Sequence, residues 1–557
     1  MQGFFKVLGP VGALVLLAAG CGGGAAPTAT RASQPTATRP AAAAATATPA
    51  ATRPPTPTPG KAKPAGRVVT AQPDLGREFV VPYKAQSGSD EPHHQAMYDS
   101  ILVADEAGNV ISELAEGFTV SADGLTWTFK WRKGPLFHDG TAITAKDGEY
   151  SQRLFTATGN FSAGNVGRSL ESVTAVDDST LIFKMKSPYP LLPRFLSQIV
   201  GFVIPKAYHE RVGEDEFTKN PVGSGAFKLV NRQPGNRWEF EAFDRYWKDG
   251  PFIQSLVLRI IPEAATRMAA LKAGEVDLIT GVGAQTELEE IRRDSKLYAL
   301  EVPGGGRTNI SFDAFYWNPN TPWRIKEVRQ AGNYAVDKKA IADKFWGGKT
   351  VPHLIHTSPY TWGWDDRLRD YIYPYDPEKA KQLLRQAGFP NGFDTTLEFH
   401  GHPTIPAMED VLQFVAAQLT AVGIRTKLFP VEHGIEVGKF FEGTAEWDMH
   451  MYAGSVAEDP RGVAQFFLAS RKHGKNYSTY TDDWVDERLA AMLSEVDDKK
   501  ARALWFDIVK RGLEEAFYIE LPAPSSYYGV NKRLADWYRT KARPYLHNYE
   551  YMKLVAP

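Results

Sequence analysis

Apolar and polar positions alternate in short runs over much of the chain from residue 67 onward. Thr126–Trp131 places Trp127, Phe129 and Trp131 on one side and threonines or lysine on the other, as a half-buried strand requires. Ser172–Met185 repeats the pattern around Asp177-Asp178-Ser179, which predicts strand, turn and strand. Further strands are expected over 67–83, 237–243, 255–261, 395–399, 425–429 and 447–451. Helical spacing takes over at 92–104, 264–273, 376–387 and 408–422. Gly274 and Gly388 stop two of these helices, and Asp376 stands where an N-cap belongs. Tyr246–Pro251 reads as a loop. Strands and helices alternate most regularly in the second half. The pattern predicts an α/β chain with a βαβ lobe there and a strand-rich first half.

The first residues follow another rule. Met1–Gly20 has one cation, Lys6, then an apolar stretch too short to span a bilayer comfortably, then small residues. This is the pattern of a secretory signal peptide over residues 1–20. Gly22–Gly66 is nearly all Ala, Pro, Thr and Gly, and its charges are all positive, from Arg31 to Lys63. Such a segment cannot bury enough apolar surface to fold. Fully extended at ~3.1 Å per residue it would reach about 140 Å. Residues 21–66 are therefore expected to be a disordered tether.

Composition narrows the function. The net charge of −1 argues against a nucleic-acid binder, which needs a basic face. Cys21 is the single cysteine, so no internal disulfide, cysteine nucleophile or thiolate zinc site can form. No Gly-x-Ser-x-Gly elbow or His-Glu-x-x-His helix occurs, and Gly223-Ser224-Gly225 lacks the trailing Gly-Lys-Ser/Thr of a phosphate loop. The paired carboxylates of a glycosidase have no fixed spacing and stay open. His93-His94, His353-x-x-His356 and His400-x-His402 are the histidine clusters. Imidazoles bind metals, but local hydrogen bonding is the expected role, and no metal or cofactor is expected. The nearly five hundred residues after the tether must divide into more than one core.

Two resemblances sharpen these expectations. Leu17-Ala18-Ala19-Gly20-Cys21 resembles a bacterial lipobox, with Ala18 where a Leu-like residue is usual. That implies acylation of Cys21 and a lipid anchor, with an unmodified secretory signal as the alternative. The mature chain resembles the extracellular solute-binding proteins of family 5. The likeness rests on Ser121–Phe129 with Phe137–Thr141, on Asn220–Phe227 with Asp244–Trp247, and on Glu263–Arg267 with Leu271–Leu278. It continues through Arg329–Ala331 with Tyr334–Lys338 and from Asp376–Ala380 through Gly388. The resemblance implies a two-lobed periplasmic-binding-protein-like fold of type II with an extra subdomain in the first lobe. Lobe I would take 67–308 and 522–557, with the insertion at about 105–218, and lobe II 309–521. Chain crossings are expected near Gly306–Phe315 and Ile519–Ser525.

The implied function is capture of an extracellular solute, a peptide first of all, for an ABC importer's permease and ATPase, without catalysis. An oligosaccharide, a metal complex, or an exported hydrolase or adhesin are the alternatives. A monomer anchored outside the cell membrane is expected. The expected contacts lie on the loop Met451–Pro460, namely Tyr452, Ser455, Val456, Glu458 and Asp459, together with His400, Trp362 and Trp364. In peptide binders of the family this loop carries a Trp and an Asp that pairs with the peptide's amino terminus. Ala453 and Val456 stand about where those two fall, so Glu458 or Asp459 would have to supply the charge, or the solute lacks a free amine.

Overall fold

The alternation of the first half becomes two sheets. The computed structural model describes residues 63–85, 88–105, 109–158, 166–167, 169–302, 306–400, 405, 407–431, 439, 447–455, 459–469, 481–536 and 548–555. All of them fall in one compact unit, Ala44–Pro557. In strand Thr126–Trp131 the residues Trp127, Phe129 and Trp131 are buried and Lys130 is exposed. Strand Thr180–Met185 buries Leu181, Phe183 and Met185 in the same way. These two form the middle of a four-stranded antiparallel sheet in the order 115–120, 126–131, 180–185, 170–177.

The larger first sheet has seven strands, in the order 297–302, 526–531, 278–282, 67–72, 255–260, 237–242, 227–233. Its central strand Arg67–Gln72 is buried at five consecutive positions and pairs in parallel with both neighbours. Burial on both faces is why this strand shows no alternation: Val68, Val69 and Ala71 are buried alongside Thr70 and Gln72. Helix Ala264–Ala273 ends where Gly274 turns left-handed, at φ 73°, a conformation that costs a side-chain-bearing residue more.

The second half supplies a five-stranded sheet, in the order 424–430, 393–399, 449–455, 306–311, 518–520. Strands Phe393–Phe399 and Ile424–Pro430 are parallel and joined through helix Met408–Ala421. Helix Pro377–Gln386 begins at Asp376, whose Oδ1 accepts the Lys379 N–H at 2.8 Å. The chain leaves the seven-stranded sheet after Val302, enters the five-stranded sheet at Gly306, leaves it after Glu520 and rejoins the first sheet at Ser526.

One predicted helix differs. Residues 92–104 are helical only to Met97, in helix Glu91–Met97. Leu102–Ala104 then pairs with Val110–Ser112 as a two-stranded ribbon. Leu102-Val103 has a partner strand within reach, and sheet pairing outweighs the weak helical spacing. Likewise only Arg67–Gln72 of 67–83 is strand. Residues 1–62, which include the signal segment, Cys21 and most of the tether, lie outside the described residues.

Candidate functional site

The five-stranded sheet has two unlike faces, and the period of two assigns them. Ile310, Met449, Met451, Ala453, Leu397 and Ile519 enter the apolar core shared with the helices. Their neighbours Arg307, Asn309, Ser311, His450, Glu398 and Glu520 are polar, alternate with them, and are between 0% and 5% exposed. Register places Asn309 between Tyr452 and Glu520, and Ser311 between His450 and Tyr518. The polar face therefore centres on the crossing strand Gly306–Ser311.

Arg307 Nη1 lies 2.6 Å from His356 Nδ1. A guanidinium can only donate, so Nδ1 accepts and the imidazole proton sits on Nε2. Burial, then the Arg307 charge, holds His356 far below the usual histidine range, so it is neutral. The guanidinium also stacks 4.3 Å from the Tyr452 ring centre. His356 and its neighbour Ile355 are both left-handed, at φ 64° and 47°. For a β-branched isoleucine this is a strained conformation, of the kind that clusters at binding sites.

A second set adjoins the first. His450 Nε2 is 3.6 Å from Glu398 Oε2, and its Nδ1 is 3.9 Å from Asp313 Oδ2. Asp313 accepts from Ser311 Oγ at 2.8 Å and from Trp447 Nε1 at 2.7 Å. Asn309, 1% exposed, has no hydrogen-bond partner for either amide atom among the described residues. A buried primary amide without partners costs about 1–3 kcal/mol per group and asks for a polar occupant.

The residues expected from the loop divide in the structure. Tyr452 joins Arg307, and its ring stands 6.3 Å from that of His450. Asp459 is engaged by its own loop: Oδ1 accepts the Arg461 N–H and Nε–H, each at 3.0 Å, and Oδ2 accepts Nη2–H at 2.6 Å. The Arg461 guanidinium lies 3.7 Å from the Trp362 ring centre, while Trp362 Nε1 donates to Asp498. Asp459 and Trp362 thus belong to one stack through Arg461. Trp364 stands apart, its Nε1 bonded to Asp366. His400 is 5% exposed at the end of strand Phe393–Phe399. Ser455 pairs with Gly306 through its backbone; Val456, Glu458 and His402 lie outside the described residues.

Arg307 and Asn309 were missed in the sequence, although a signal was there. Gly306–Ser311 is buried at every position in the structure yet carries Arg307, Thr308, Asn309 and Ser311. Among the described residues no three His, Cys, Asp or Glu side chains stand together as a metal site. No helix among them is long and apolar enough to cross a membrane.

Comparison with known proteins agrees with this architecture. Residues 109–478 match the family described as bacterial extracellular solute-binding proteins, family 5 Middle. A glutathione-binding protein, GsiB, of Pectobacterium atrosepticum is 27% identical over 467 residues, covering 82% of this chain and 88% of that protein. Heme-binding protein A of Haemophilus influenzae is 30% identical over 416 residues, covering 70% and 74%. Among solved structures, the periplasmic binding protein DppA of Helicobacter pylori in complex with the peptide STSA superposes with a TM-score of 0.74 at 23% identity. That superposition covers 88% of this chain and 98% of the other. The fold is that of the type II periplasmic binding proteins.

Proposed function

Because this chain belongs to the bacterial extracellular solute-binding proteins of family 5, and so serves as the substrate-binding protein of an ABC importer, we propose that its cargo is a small peptide-like solute with an acidic group. The buried polar face at the crossing strand carries this reading. Arg307 supplies a fixed positive charge, stacked on Tyr452 and backed by neutral His356. A carboxylate bound there would gain charge-assisted hydrogen bonds inside a desolvated site. Asn309, one pleat away, adds an amide without a partner among the described residues, suited to a peptide group. The names of two relatives, one glutathione-binding and one solved with a bound peptide, agree with that chemistry.

The protein acts as a receptor, not as an enzyme. Residues 67–308 with 522–557 and residues 309–521 form the two lobes. Cargo between them favours closure, because a ligand shifts the equilibrium toward the state it binds better. The closed form is what the permease and ATPase partners would read. The chain is exported by residues 1–20, anchored through acylated Cys21, and works as a monomer at the end of the 21–66 tether. His400 and the Met451–Pro460 loop, including Ser455, Val456 and Glu458, border the cargo. Asp459 shapes that loop through Arg461 rather than meeting an amine.

A thermal-shift screen over di- and tripeptides, glutathione, cello-oligosaccharides and nickel salts tests the cargo class. A ligand of the folded state alone raises the melting temperature. Peptides with free carboxylates should do so and be recovered unchanged. Stabilisation by sugars only, or conversion of a peptide to products, would overturn the reading.

A further inference from the structure

A cavity of about 380 Å³ opens beside the returning strand Tyr518–Glu520. Every residue of its wall lies between 333 and 522, and Val351, Leu354, Ile372, Leu513 and Leu521 make much of it apolar. Two buried side chains interrupt that wall. His353 is 1% exposed, and neither ring nitrogen has a hydrogen-bond partner among the described residues. Glu520 is 5% exposed; its Oε1 accepts the Ile355 N–H at 2.9 Å, and its Oε2 has no partner among the described residues. Lys338 also borders the cavity but is committed to the carbonyls of Asn333 at 3.1 Å and Tyr373 at 3.4 Å.

This chemistry selects an occupant. An apolar body would fill the space but leave His353 and Glu520 without partners, which is costly in a buried site. Burial, then the Arg307 charge, lowers His353 to about 3, so at neutral pH it offers one N–H and one bare nitrogen. Burial raises Glu520 to about 8, and Lys338 stands near. A cationic head group therefore finds little counter-charge. A hydroxyl both donates and accepts, and it suits both residues.

The cavity also touches the cargo face through one short loop. His353 and His356 are separated by two residues, and their rings meet edge-on at 6.2 Å. His356 accepts from Arg307 on the crossing strand. An occupant pressed against His353 bears on the same loop that seats Arg307.

We infer that this cavity is a second small-molecule site, for a compact neutral ligand with an apolar body and one hydroxyl, and that its occupancy tightens the crossing strand Gly306–Ser311 through the His353–His356 loop.

A fluorine NMR titration of the full chain with 4-fluorophenol tests the site, and amide hydrogen exchange at saturation tests the coupling. Saturable binding is expected, about tenfold or more weaker in His353→Phe, as for loss of a buried hydrogen bond with bulk retained. Ala342→Phe, which fills the cavity from a neighbouring helix, should also abolish it. At saturation, amide exchange across 306–311 should slow. Absence of saturable binding, or indifference to both cavity variants, would overturn the site. Unchanged exchange across 306–311 at saturation would overturn the coupling. None of these readouts needs the cargo, so they stand even if the peptide reading fails.

Discussion

Two buried polar clusters, one beside each sheet system, differ in how far their side chains find hydrogen-bond partners among the described residues. In the first half Lys248 pairs with Glu113 and, at 3.1 Å, with Glu550 near the C-terminus. Asp99 close by accepts from Tyr246 Oη at 2.8 Å and from Trp247 Nε1 at 2.7 Å. Burial alone would lower the Lys248 pKa, but the surrounding acids, Glu113 foremost, raise it well above the lysine range. In that cluster the acid groups meet donors and the ammonium stays charged, while burial raises Asp99 to about 6 and Glu113 to about 8. In the second half Arg307 rests on a neutral imidazole and an aromatic ring, and Asn309 beside it has no hydrogen-bond partner among the described residues. The first cluster ties residues 99, 113 and 248 to residue 550 and holds structure. In the second, the Asn309 amide has no partner among the described residues, which is the opening the proposed cargo would use. Burial alone does not mark a binding site; burial with unspent hydrogen-bonding capacity does.

Breaking each cluster should therefore hurt different properties. Lys248→Met leaves three buried carboxylates without their cation and should cost about 3–5 kcal/mol of stability, seen as a lower urea midpoint, with cargo affinity of the folded protein intact. Arg307→Gln should reverse the pattern. Cargo affinity should fall by about 30-fold, as for a lost buried charge contact of ~2 kcal/mol, while the urea midpoint moves far less than in Lys248→Met.

Acid titration offers a finer probe. His353 has a folded pKa of about 3, below the unfolded value of 6.5. As pH falls from 6.5 toward 3 the unfolded chain takes up that proton first, so the stability His353 contributes above 6.5 is progressively lost. The slope is at most about 1.4 kcal/mol per pH unit for one proton. His353→Gln should flatten the acid limb of the urea-stability profile by up to that much. An unchanged limb would mean that His353 is not held neutral. Glu520, raised to about 8 from 4.5, acts in the other direction, and its contribution declines as pH rises through that window. The smallest effect belongs to Tyr452→Leu. Losing the ring under Arg307 should weaken cargo binding by roughly threefold, the order expected of ~0.5–1 kcal/mol for a cation–π contact, by calorimetry.

Much of the fold was legible because half-buried strands advertise themselves. Thr126–Trp131 and Thr180–Met185 alternate as cleanly in space as in sequence. Asp376 and Gly274 mark helix ends by their chemistry. The 92–104 helix failed because Leu102–Ala104 is stabilised by a partner strand several residues away, which local spacing cannot show. The site was harder. Tyr452 could be singled out because it borders a recognisable loop, and the structure sets its ring against Arg307. Asp459 drew attention as a charge, yet its neighbour Arg461 occupies it, an interaction only geometry reveals. Arg307 and Asn309 become meaningful only when strand Gly306–Ser311 is known to be buried on both faces.

The proposed anchoring of an acidic solute by Arg307 is tested most directly by calorimetric titration of the protein with a peptide and with its C-terminal amide. The predicted result is saturable binding of the free acid, about tenfold or more tighter than the amide, with the difference abolished in Arg307→Gln. Equal affinity for acid and amide in the unaltered protein would contradict it.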